Sequence, residues 1–81
     1  MNERESMHQQ DALDSLIIRK ISPDDATLAD NVGEYLVIFN IPIETKSGYV
    51  RREQITVRFL RKQARDEWYC RYRERFKEVW T

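Results

Sequence analysis

YLVIFNIPIETKSGYVRREQITVRFL, residues 35 to 60, decides the fold: two runs rich in β-branched and aromatic residues flank the turn-forming segment Lys46-Ser47-Gly48. The pattern predicts a β-hairpin. A three-residue loop with its glycine in the left-handed conformation pairs Thr45 with Tyr49. Continued along the ladder, this register sets Phe39 opposite Ile55, Val37 opposite Val57 and Tyr35 opposite Phe59. Slipping one strand by a single residue would set Phe39 and Val37 against Gln54 and Thr56, so the apolar pattern selects the first register. One face of the hairpin is therefore core. The other carries Leu36 and Ile38 opposite Arg58 and Thr56, with Asn40 opposite Gln54, and is mixed and only partly covered. Pro42 has no amide hydrogen for a ladder, which confines it to an edge or a bulge near the hairpin end.

Beyond the hairpin the period changes. From Ala64 onward, at about 100° per residue, Trp68, Tyr69, Tyr72, Phe76, Val79 and Trp80 fall within one arc of roughly 120°. This predicts a helix over 64–80 whose aromatic stripe covers the sheet. Before the hairpin the signals are weaker. Leu13, Leu16, Ile17 and Ile21 fit a helical stripe, whereas the β-branched cluster Ile17, Ile18 and Ile21 favours a strand; the reading adopted is a first strand over 15–21. Ser22-Pro23-Asp24-Asp25 combines an N-cap serine, proline at the first helical position and early acids, the marks of a helix start. Since Asp30 and Asn31 are poor helix-interior residues, the expectation is a short helix or an acidic loop before Gly33. Residues 1 to 12 are polar apart from Met7 and are expected to form a mobile tail, with 13–81 a single domain. The fold class that follows is α+β, a small three-stranded antiparallel sheet covered by one C-terminal amphipathic helix.

With 81 residues the chain has room for one domain with a thin core, and dimerisation would bury more apolar surface. A single cysteine, Cys70, excludes an internal disulfide, and with only His8 beside it there is no zinc set of the usual Cys/His kind. No apolar run approaches the length of a membrane span, and the start Met1-Asn2-Glu3-Arg4-Glu5 lacks signal-peptide character, so a cytoplasmic setting is expected. The net charge of zero hides an asymmetry: residues 1–34 hold eight acids and three bases, residues 35–81 six acids and eleven bases. Arginine makes up ten of the fourteen bases, and its planar fork suits carboxylate or phosphate pairing and aromatic stacking.

Catalytic pieces are missing. His8 sits in the expected tail, where burial cannot tune its pKa. Cys70 falls on the side of the helix away from the aromatic stripe, with no base to activate it. Asp24, Asp25 and Asp30 form neither an EF-hand loop nor a spaced metal triad, and Gly33 and Gly48 alone cannot build a phosphate-binding loop. No enzyme activity, cofactor or metal is expected. Two binding classes remain. A protein partner, or a second copy of the chain, could use a free hairpin edge able to add a strand and the mixed face, with Tyr35, Leu36, Ile38, Arg52 and Arg58 as contacts. Nucleic acid is the alternative, through Arg52, Arg58, Arg61, Lys62 and Arg65. Against it, Glu67–Arg71, Arg71–Glu74 and Arg75–Glu78 pair at helical spacing, and an acidic strip of Glu67, Glu74 and Glu78 lies opposite the aromatic stripe.

Overall fold

A computed structural model describes residues 9–81. The hairpin forms in the register its apolar residues dictate. Strand β2 (Glu34–Glu44) pairs antiparallel with β3 (Val50–Phe59), with Phe39 against Ile55, Val37 against Val57 and Tyr35 against Phe59. The loop closes through Thr45, whose N–H donates to Tyr49 O at 2.9 Å and whose carbonyl accepts from Gly48 N–H at 3.0 Å. Gly48 adopts φ 80°, a left-handed conformation that only glycine enters without steric cost.

The third strand is β1 (Ala26–Asn31), antiparallel to the other side of β2, so the sheet order is β1-β2-β3. This corrects the sequence reading, which placed a strand over 15–21 and a short helix or acidic loop here. The helix start at Ser22 is real but brief: Ser22 Oγ accepts from Asp24 N–H at 3.1 Å and caps a single 3-10 turn, Pro23–Asp25. The chain then extends because Thr27 and Ala29 find ladder partners in Ile38 and Leu36. That gain comes from a strand adjacent in space, and the weak β propensity of ATLADN does not announce it. Pro42 lies beyond Ala26–Phe39, the last β1–β2 pair, where β2 is itself an edge and no amide donor is required.

Helix α1 (Gln9–Ile18) occupies the segment read as a strand. Ala12, Leu13, Leu16 and Ile17, at helical spacing, are buried, while β-branched Ile18 points outward at 76% exposure. The helical stripe therefore prevails over β propensity, because burying two leucines outweighs the few tenths of a kcal/mol by which isoleucine disfavours helix. Lys20, at φ 60°, ends the helix: its N–H donates to Ile17 O at 3.0 Å, and Ile21 N–H donates to Leu16 O at 3.1 Å. Of the expected tail, residues 1–8 with Met7 and His8 lie outside the described residues, and 9–12 form the first turn of α1.

Helix α2 (Lys62–Trp80) follows β3 directly. Its aromatic stripe meets the sheet as expected: Trp68 and Tyr72 stack with centroids 5.5 Å apart, and Phe39 lies 6.3 Å from Trp68 and 5.3 Å from Tyr72. Four stripe residues also donate hydrogen bonds to carbonyls of the N-terminal segment. Trp68 Nε1 reaches Gln9 O at 2.9 Å, Trp80 Nε1 reaches Ile17 O at 2.7 Å, Tyr69 Oη reaches Pro23 O at 2.8 Å, and Tyr72 Oη reaches Ile21 O. The core is thus one layer: α1 and α2 together, against Val37, Phe39, Ile41, Val57 and Phe59 on one face of the sheet.

Candidate interaction surface

Both helices pack on the same side, so the strand alternation leaves the other sheet face without a covering layer among the described residues. That face presents Thr27 and Ala29 from β1, Leu36, Ile38, Asn40 and Pro42 from β2, and Arg52, Gln54, Thr56 and Arg58 from β3. An antiparallel sheet face left to water is normally polar. Here a polar frame surrounds an apolar middle. Arg58 Nε lies 3.2 Å from Glu34 Oε2 at one end, and Gln54 Nε2 donates to Asn40 Oδ1 at 3.2 Å nearer the other. Between them Ile38 is half-buried, whereas Leu36 is only 8% exposed although neither described helix lies over it. Leu36 is thus a floor for this surface and not a projecting contact.

The remaining sequence-derived candidates separate. Arg52 is exposed and, among the described residues, makes no ion pair, while Arg58 is exposed but engaged by Glu34. Tyr35 is half-buried on the core-facing side and packs against the core. Over its ring sits the Arg65 guanidinium, 5.7 Å from the centroid. Arg65 is 3% exposed and satisfied internally: it pairs with Asp30, donates to Ala29 O at 3.0 Å, and donates through Nε to Asp66 Oδ1 at 3.0 Å. Burial works to lower the Arg65 pKa, but the hydrogen bonds to Asp30 and Asp66 outweigh it, and the net direction is upward. The Arg65 hydrogen bond in turn holds the Asp30 carboxyl below the usual carboxylate range. Lys62 adds a second cation at 3.7 Å from Asp30, and Arg61 is exposed at the cap of α2 without a capping side-chain bond. Of the five bases proposed for nucleic acid, Arg52 and Arg61 keep their charge unpaired among the described residues.

Sequence reasoning missed a second apolar exposure. Ile18, Val79 and Trp80, at 76%, 45% and 40% exposure, gather where the C-terminal ends of α1 and α2 meet, and Lys20 Nζ lies 5.1 Å from the centre of the Trp80 ring. The aromatic stripe contained the signal for Val79 and Trp80, but Ile18 joins them only because residues 9–18 are helical. Cys70 is exposed on the outer face of α2, as its helical position implied. A shallow concavity of about 690 Å³ beside it is lined by described residues of that one helix, which supplies a single wall and encloses nothing.

Among the described residues no group of three or more His, Cys, Asp or Glu side chains is placed to hold a metal ion, and no helix is long and apolar enough to cross a membrane. The chain matches no protein-family model, no curated protein and no solved structure.

Proposed function

We propose that this chain is a non-catalytic protein-interaction module whose first partner is a second copy of itself. One observation carries the reading: the sheet bears both helices on one face and leaves on the other an apolar strip, Leu36 and Ile38, framed by Arg52, Arg58 and Gln54. Arginine around an apolar centre is the composition of interface cores, and a thin single-layer core gains from any surface that covers it. The nucleic-acid alternative has less support, because Arg65 is buried and Arg58 and Lys62 face Glu34 and Asp30.

Light scattering after gel filtration, run over a range of protein concentrations, tests the proposal. The mass is expected to rise from monomer towards dimer for the native chain and to stay monomeric for Ile38→Asp and Arg52→Glu, both retaining native circular dichroism. Association that survives Ile38→Asp but is abolished by Ile18→Asp would move the interface to the helix ends and overturn the open-face assignment. A chain that stays monomeric throughout and instead retains nucleic acid in a salt-sensitive way would overturn the proposal itself.

A further inference from the structure

The outer edge of β3 lies beside α1, and the two elements form the walls of a cleft. Which backbone groups β3 turns outward follows from the turn. Thr45–Tyr49 is a hydrogen-bonded pair, and such pairs recur at every second residue of an antiparallel ladder. Residues 51, 53, 55, 57 and 59 therefore bond to β2, while Arg52, Gln54, Thr56 and Arg58 direct N–H and C=O away from the sheet. An independent contact agrees: Gln9 Nε2, on the first turn of α1, donates to the outward Arg58 carbonyl at 3.0 Å. At the far end of the helix Arg19 Nη2 pairs with Glu53 Oε1 at 3.0 Å. Between these two ties lies a groove of about 310 Å³, with Ser15 and Leu16 on one wall and Gln54, Ile55 and Thr56 on the other. Along it, among the described residues, the outward amides and carbonyls of Gln54 and Thr56 have no partner.

We infer that this groove takes an extended peptide segment, added as a fourth strand along β3, with an acidic side chain opposite Arg52 and an apolar one at the adjacent position. The inference rests on the interaction-module reading and specifies one of its binding sites. Three observations select the occupant. Only an extended backbone presents donors and acceptors at the spacing of the free edge. Alternate residues of an added strand face opposite sides, so one set lies on the open sheet face beside Arg52, which is exposed and unpaired among the described residues. The other set enters the groove, where half-buried Ile55 supplies apolar surface above the buried Leu16. The Gln9–Arg58 bond closes one end of the groove and sets the length, since a longer strand must displace it.

The test uses a fluorescent, end-capped peptide alternating glutamate and valine, followed by anisotropy against the full chain. Saturable binding is expected, with slowed amide exchange at Gln54 and Thr56. Affinity should fall about tenfold or more when alternate peptide amides are N-methylated, and should fall when glutamate is replaced by lysine. Thr56→Pro removes an outward N–H that β2 does not use, so this variant is expected to fold and to lose the peptide. If Thr56→Pro fails to fold, the N-methylated peptide against the native chain decides. Failure of the glutamate–valine peptide to bind, binding indifferent to N-methylation, or a lysine–valine peptide that binds as well, each overturns the inference. None of these outcomes touches concentration-dependent association through Ile38, so the edge site and the open-face reading fail separately.

Discussion

Tyr72 shows how one side chain ties together parts of the chain that are remote in sequence. Its ring touches Phe39 and Trp68 in the core, and its hydroxyl donates to Ile21 O just past α1. Tyr72→Phe keeps the ring and leaves a partly buried carbonyl without its donor, so it is expected to cost about 1 to 2 kcal/mol in urea unfolding near neutral pH. Burial also pushes the Tyr72 hydroxyl pKa above its usual value, with a smaller push from Asp25. A phenol whose pKa is higher in the folded than in the unfolded chain stabilises fully below the unfolded value of about 10 and loses that contribution as pH rises towards the folded value. The stability gap between the native chain and Tyr72→Phe should therefore narrow above about pH 10, and a gap that widens there would contradict the assignment. Arg65 makes the complementary point. Among the arginines of the basic half it is the one that burial removes from any binding surface, and neither composition nor spacing marks it out, because the difference lies in where Asp30 and Ala29 arrive from β1.

At the level of elements, the hairpin and α2 were legible and the N-terminal third was not. The hairpin register followed from a turn and an apolar alternation carried by residues 35 to 60 alone, and α2 from the arc running from Trp68 to Trp80. The hairpin turn can be checked directly. Nothing lies within 4 Å of a methyl group added at Gly48, so Gly48→Ala meets no clash and should lose only the roughly 1 kcal/mol that a left-handed conformation costs an L-residue. Thermal unfolding measures it, and a much larger loss would mean that the loop geometry differs. Segments 13–21 and 22–31 misled because each carried two local signals of similar strength. Ile17, Ile18 and Ile21 argued for a strand within a helical stripe, and the genuine cap at Ser22 opened a turn that Ala26 ended. Of the candidate contacts, Arg52, Arg58 and Ile38 could be placed on the mixed face from the ladder alone, whereas the near-complete burial of Leu36 and the edge groove beside α1 could not.

For the molecule as a whole, α1 is as much a part of the core as α2. Ala12, Leu13, Leu16 and Ile17 fill the layer beside Trp68 and Tyr72, and the helix supplies the carbonyls that satisfy both tryptophan indoles. Leu16→Ala is expected to cost about 3 kcal/mol. For a domain this small the total is on the order of 5 to 10 kcal/mol, so the melt followed by circular dichroism should shift down by roughly 10 to 20 degrees. A shift of a degree or two would show that the first helix merely rests on a finished core. Placing both helices on one side of the sheet also creates the two surfaces proposed for binding, the face that no described element covers and the β3 edge.

By itself the sequence determined what short-range chemistry can encode: the turn at Gly48, the pairing of β2 with β3, the aromatic face of α2, and the basic character of the C-terminal half. Only the tertiary structure decided that residues 9–18 form a helix and 26–31 extend, that Arg65 is internal, and which face and edge of the sheet the described elements leave open. The reason is that backbone preferences there differ by only fractions of a kcal/mol, while a buried leucine or a carbonyl that gains an indole or phenol donor is worth more, and those partners lie tens of residues away along the chain.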